Sequence, residues 1–275
     1  MRTSRKIEVT QLAENILSQI ASQKFPLKAS TLIKVLRKSY TIKLIKFSEF
    51  VETSNMTLED VYKLFCTKDA RIIFDADAQI YYIYYNDAMC KERCRWNIIH
   101  ELAHLILGHC QKAHKATALG IMLCGDDYAD FEEEANYFTR YCLAPSPLLL
   151  FLAAHYRILN FNGYYIFARS VFKLSKEASY YIALDISERN HSQVTQKSFE
   201  PFIEFIAEFT SIYPQDSITC LTMQQYLDEI PYIKHIIEQK QKNYVKNKDL
   251  EYWTVGEILQ SMCNELAEQY SGESA

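Results

Sequence analysis

The sequence is poor in the residues that punctuate a chain, with six glycines and six prolines in 275 residues. So few turn formers argue against a many-turned β fold and favour long helices. No apolar run approaches the roughly 18 residues needed to cross a bilayer, so no segment reads as a membrane span. The opening MRTSRKIEVTQLAENILSQI carries Glu8 and Glu14 where a secretory signal would need an uninterrupted apolar stretch, and a cytoplasmic location is expected. No CxxC pair occurs among the eight cysteines, at 66, 90, 94, 110, 124, 142, 220 and 263. They read as reduced, mostly buried thiols rather than a disulfide framework. Cys90 and Cys94 lie four apart but lack a second pair at finger spacing, so they are not read as a zinc site. Basic excess is absent too: a net charge of −4 leaves no electrostatic footprint for bulk nucleic-acid binding.

What is present is ordinary globular composition, with 49% AVILMFWYC residues and 23% charged, in a length that suits one elaborated domain or two smaller ones. Helices are expected at about 8–22, 29–39 and 57–66, the last opened by Thr57, with a short β-like run at 41–47. Segments 71–75 and 80–85 are rich in β-branched and aromatic residues and read as a strand pair or hairpin. Asp87 is expected to cap a helix running to His109, where Gly108 helps it stop. A looser stretch at 112–128 leads to a helix at 130–143 ended by Pro145. Ser146-Pro147 reads as an N-cap with proline at the first helical position. After a break at 160–163, helices are expected at 164–172 and 175–188, the second capped by Ser175. A polar junction at 189–197 suggests a boundary near residue 192, separating a domain of 1–192 from a helical region of 193–275, in which Thr254-Val255-Gly256-Glu257 has capping-box spacing. The fold class expected is α+β, mostly helical, with a small β-sheet and a helical C-terminal extension.

Within the expected helix before His109 stands His100-Glu101-Leu102-Ala103-His104. Residues four apart lie one turn up the same helix face, so both histidines can point at one ion. Glu101 lies about 100° around from His100, close enough to touch a water on that ion without ligating it. That division suits zinc hydrolysis: neutral imidazoles hold the metal, one position stays open to water, and a carboxylate takes a proton when water attacks. The flanks, Trp96-Asn97-Ile98-Ile99 and Leu105-Ile106-Leu107-Gly108, are those of a buried helix, where polar residues require partners.

A third ligand must come from elsewhere. The metzincin pattern would want glycine at 107 and histidine at 110, but Leu107 and Cys110 occupy those positions. His109, five positions from His104, is expected to point to another side of the helix. The better donor is the acidic segment Asp130-Phe131-Glu132-Glu133-Glu134-Ala135-Asn136. Its buried stripe is Phe131, Ala135, Phe138 and Cys142. Glu133 lies nearly opposite that stripe, on the solvated side. Glu132 and Glu134 flank the stripe, and periodicity does not choose between them.

HELAHLILGH, followed about 25 residues later by EEEANYFTRYCLAP, resembles the ImmA/IrrE family of metallo-endopeptidases. The tyrosine-rich strand at 80–86, with Arg93 or Arg95 ahead of the first histidine, is similar to the way that family's strand leads into its helix. The likeness covers residues 70–147 well and the flanks weakly. It implies a gluzincin-like zinc peptidase core. The string that the third ligand commonly heads in gluzincins maps onto Glu132, Ala135 and Asn136, which selects Glu132, with Glu134 the alternative. It also suits Asn136 to a hydrogen bond with a ligand histidine. Ile99 and Ala103 stand where the family often has a small residue and a glycine. No oxyanion stabiliser is evident: Tyr141, Tyr164, Tyr165 and His155 are downstream candidates, but with 20 tyrosines in the chain each alone reads as structural.

The primary functional expectation is therefore a zinc endopeptidase in which His100, His104 and Glu132 hold the metal and Glu101 is the general base. The resemblance implies a protein substrate, a helix-turn-helix transcriptional repressor of a mobile element or stress circuit. The alternative is a non-catalytic zinc-containing regulator or antitoxin-like protein that binds a repressor or DNA, with 175–188 read as part of a helix-turn-helix. Against DNA binding, that segment offers Lys176 but also Glu177, Asp185 and Glu188. A retained Glu101 favours catalysis, since a structural site has no use for a base.

Overall fold

Alternation in Ile80-Tyr81-Tyr82-Ile83-Tyr84-Tyr85 puts Tyr81 and Ile83 on a buried face. This segment is the middle strand of the sheet. The computed structural model describes residues 3–20, 24–118, 125–188, 200–214 and 220–248. Helices α1 (Thr3–Ser18) and α2 (Ala29–Leu36) precede strand β1 (Thr41–Lys46). Helices α3 (Phe47–Ser54) and α4 (Leu58–Phe65) then lead to β2 (Ala70–Asp75) and β3 (Ile80–Tyr85). Beyond the strands come α5 (Lys91–Ile106), α6 (His109–Ala118), α7 (Gly125–Leu143), α8 (Ser146–His155), α9 (Phe161–Ser170) and α10 (Lys176–Ser187). Helices α11 (Ile203–Ile212), α12 (Cys220–Leu227) and α13 (Glu229–Lys248) follow. The architecture is mostly helical with one small sheet, consistent with the α+β expectation.

The sheet has three strands in the order β1-β3-β2. β2 and β3 form the expected antiparallel pair, from Ala70 opposite Tyr85 to Asp75 opposite Ile80. Their turn is closed by Asp75 Oδ1, which accepts from the backbone N–H groups of Asp77 and Ala78. β1 joins β3 in parallel, Thr41 opposite Ile80, a pairing across α3 and α4 that the local pattern did not reveal. One face of the sheet is covered by the Phe47, Val61 and Phe65 cluster of α3 and α4. Helix α5 packs on β2 and β3. Thr57 caps α4 as expected, in a reciprocal capping box with Asp60.

Several expected boundaries move. Asp87 does not cap α5, whose N-cap is Cys90 without a side-chain bond. Its carboxylate instead accepts from Ser48 N and Oγ, in the first turn of α3, where N–H groups lack intrahelical partners. The stretch expected to be loose is helical through Ala118 and again from Gly125. Alanine- and lysine-rich helix without an apolar period is invisible to a moment argument. Ser146 lies inside α8, whose N-cap is Pro145. The expected break at 160–163 is the first turn of α9, because Asn160 accepts from Gly163 N and caps it. Gly163 is required there, since a Cβ would lie 1.8 Å from the Ile158 carbonyl oxygen. Ser175 caps α10 by accepting from Ala178 N.

Most helices share one core, from Val9, Ala13 and Leu17 of α1 through α5, α7 and α8 to Phe202 and Phe205. Helix α8 buries leucines all round, which marks it as a central helix. The junction at 189–197, the boundary near residue 192 and the capping box at 254–257 lie outside the described residues. Among the described residues, no helix is long and apolar enough to cross a membrane.

Candidate metal centre

Helix α5 turns Ile98, Ile99, Leu102, Ala103 and Leu105 into the core. That leaves His100 and His104 stacked one turn apart at the surface of a cleft, with side chains only 14% and 12% exposed. Helix α7, packed against α5, anchors itself through Ala135, Phe138 and Cys142, all fully buried. This placement lifts Glu132 to the cleft. His100 Nε2 and Glu132 Oε2 are 3.0 Å apart, His104 Nε2 and Glu132 Oε1 3.4 Å, and the two histidine Nε2 atoms 3.1 Å. One ligand atom from each of His100, His104 and Glu132 lies within 4.8 Å of the other two.

The donor set fits a divalent cation. Two imidazole nitrogens and a carboxylate oxygen converge on one point, and a mixed nitrogen and oxygen set of this kind suits first-row metals, zinc among them. Burial opposes charge on Glu132, but hydrogen bonds from His100 and His104 hold its carboxyl well below the usual range. Burial likewise opposes charge on His100, yet Glu132, Glu101 and a hydrogen bond with Asn136 raise it. Asn136 thus meets the histidine that sits over Glu132.

Glu101 is 8% exposed, and its Oε2 accepts from Ile72 N of β2 at 2.8 Å. One carboxylate oxygen is therefore tied to an outer strand of the sheet. A cavity of about 120 Å³ lies here, lined by Glu101, His104 and Glu132 together with Arg71, Ile72, Cys110 and Tyr128. A larger one, about 400 Å³, opens beside Asn136 between Asp69, Arg93, Trp96, Arg140 and Tyr181, and does not contain Glu101. The smaller cavity is the one that brings Glu101 together with His104 and Glu132. Burial pushes the Cys110 thiol up to about 12, and its sulfur is not among the converging ligand atoms. The Cys94 thiol donates to backbone carbonyls of Asn86 and Met89.

Glu134, the alternative ligand, is not with the histidines of α5. It is buried and accepts from Arg5 Nε and Nη2 at 2.8 and 2.7 Å, with His109 Nε2 at 3.0 Å. Nor does His109 point away from His104. Helix α5 ends at Ile106, Gly108 takes the left-handed φ of +73°, and the chain restarts as α6 with His109 Nδ1 3.0 Å from His104 Nδ1. Angular extrapolation along one continuous helix failed because the helix stops between them. The four oxyanion candidates do not line the cavity. Tyr141 donates to Glu14 and Tyr165 to Glu229, Tyr164 is buried, and His155 stacks with Phe151. Among the described residues, the tyrosine that lines it is Tyr128, in a segment whose pattern carried no signal.

Paired histidines one turn apart, a converging carboxylate and a tethered glutamate define the arrangement of an HExxH metallopeptidase. Residues 56–182 match the Peptidase_M78 family model, described as the IrrE N-terminal-like domain. The chain therefore carries a domain of the ImmA/IrrE family, running from just before α4 into α10. Membership implies a metallopeptidase-type hydrolase, a metal ion and a protein substrate. No curated protein matches the chain.

Proposed function

We propose that this protein is a zinc endopeptidase of gluzincin type, with His100, His104 and Glu132 as ligands and Glu101 as general base. The observation that carries the reading is the convergence of the three ligand atoms beside a glutamate fixed to β2. When bound, zinc supplies Lewis acidity toward a water and a peptide carbonyl oxygen. Glu101, with Oε2 occupied by Ile72 N–H, has its other oxygen to take the proton of the attacking water. It then gives that proton to the departing amine nitrogen. An extended peptide laid along the outer side of β2 would pass the site in the manner of strand addition. Tyr128 and Arg71, lining the same cavity, replace the downstream tyrosines as candidates to stabilise an oxyanion.

The substrate we infer is a helix-turn-helix repressor in the cytoplasm, cleaved to lift repression. The 1–192 unit would hold every site residue, leaving the helices beyond for docking. The test is incubation of the purified protein, with and without zinc, with the repressor encoded beside it, against a Glu101→Gln variant. Cleavage by wild type alone supports the mechanism. Equal cleavage by both, or binding by both without cleavage, favours the non-catalytic regulator instead.

A further inference from the structure

We propose that His109, anchored by Glu134 and Arg5, is a positioning residue for His104, which makes helix α1 a working part of the metal centre. The inference rests on the reading that His104 binds a metal through Nε2. A neutral imidazole carries one proton, so a lone pair committed at Nε2 requires the proton on Nδ1. His104 Nδ1 faces His109 Nδ1 at 3.0 Å. His109 must then accept at Nδ1 and carry its own proton on Nε2. That nitrogen faces Glu134 Oε2 at 3.0 Å, and a carboxylate accepts. Glu134 in turn receives the Arg5 guanidinium through two N–H groups, the fork geometry of a bidentate pair.

Each contact dictates the next, and the chain runs in one direction only. The opposite tautomer of His104 would point a lone pair at His109 Nδ1, force the proton there, and leave His109 Nε2 facing the Glu134 carboxylate with lone pairs on both sides. Water has little room to repair that clash, because the side chains of His109 and Glu134 are 3% and 11% exposed. The ring plane is fixed as well: His109 stacks on Phe131 with centroids 4.3 Å apart and planes at 10°. The anchor comes from outside the matched segment 56–182, because Arg5 lies on α1. Helix α1 is itself held on α7 by two further polar rungs, Thr10 with Tyr137 at 3.2 Å and Tyr141 donating to Glu14 at 2.6 Å. Its apolar face, Val9, Ala13 and Leu17, is fully inside the core.

The test is zinc affinity of the full chain by chelator competition, with the visible absorption of the cobalt-loaded protein as a second readout. His109→Phe keeps the ring stack but removes the acceptor, and zinc affinity is expected to fall by about 10- to 100-fold. His109→Asn can place an amide oxygen where Nδ1 stood, and is expected to recover most of that loss. Arg5→Met removes the outer anchor without touching the α5–α6 break and should weaken binding a few-fold, with an altered cobalt spectrum. Circular dichroism with zinc present checks that each variant is folded. Wild-type zinc affinity in both His109→Phe and Arg5→Met overturns the proposal. Equal weakening by His109→Phe and His109→Asn overturns the acceptor role. Failure of the underlying reading looks different: His104→Ala would then keep stoichiometric zinc.

Discussion

Glu229, at the head of α13, accepts from Tyr165 Oη at 2.8 Å and Arg169 Nε at 3.1 Å, with Lys176 Nζ 3.4 Å away. At the cleft, His100, His104 and Glu132 bring two nitrogens and a carboxylate to a single point. Both clusters tie neighbouring helices together. In the first, one negative group meets donors and cations, so the knot is complete with the residues in hand. In the second, two imidazole nitrogens and a carboxylate come together with no lysine or arginine among them, a donor set open to a cation. The kind of group that meets the carboxylate, rather than burial alone, separates a candidate metal centre from a structural knot.

The contrast can be broken from either side. The largest effect is expected for Glu101→Gln, which leaves the three proposed ligand atoms intact but removes the proposed base: peptide cleavage should fall by about 10²- to 10⁴-fold while zinc content stays stoichiometric. Stripping zinc with a chelator should come next. At free zinc 100 times its dissociation constant the ion adds about 2.7 kcal/mol to stability, read as a zinc-dependent shift in Tm that His104→Ala abolishes. Glu229→Ala should show the converse. It leaves Arg169 facing a half-buried gap, costs about 1–3 kcal/mol by urea unfolding, and leaves zinc affinity unchanged.

The smallest expected effect is one of pH. Burial works against the charge on Glu229, but Arg169 and Tyr165 outweigh it and lower its pKa below the ordinary 4.5. A carboxylate lowered in the folded state contributes stability that is present above its unfolded value and is lost as pH falls through the folded one. Urea stability measured below pH 4.5 should therefore drop less steeply in Glu229→Gln than in wild type. An identical slope would remove Glu229 from the groups that govern acid unfolding.

Local pattern was a good guide wherever the information is local. Thr57 and Asp60 made their capping box, Ser175 capped its helix, and the aromatic alternation at Ile80–Tyr85 produced a half-buried strand. The neighbouring helix α3 escaped notice because Phe47–Ser54 is too short for a clear period. The parallel partner of β3 also escaped, since pairing across an intervening pair of helices leaves no trace in either strand. At the site, spacing was enough to pair His100 with His104 on one face of α5. Periodicity did not separate Glu132 from Glu134, where the family resemblance favoured Glu132; the packing of α7 against α5 turns the two to different partners, Glu132 to His100 and Glu134 to His109.

The sequence by itself determined the spacing of His100, Glu101 and His104 on one helix and the acidic helix that follows, because periodicity and caps are properties of adjacent residues, and the two motifs together carried the family resemblance. Tertiary structure alone decided that Glu101 is tethered to Ile72, that Tyr128 lines the cavity, and that His109 turns back to His104 at the Gly108 break. It also decided that Arg5, more than 120 residues before Glu134, reaches the same network. Those contacts depend on which helices share a core. That is settled by the packing of the whole chain and not by any stretch of it.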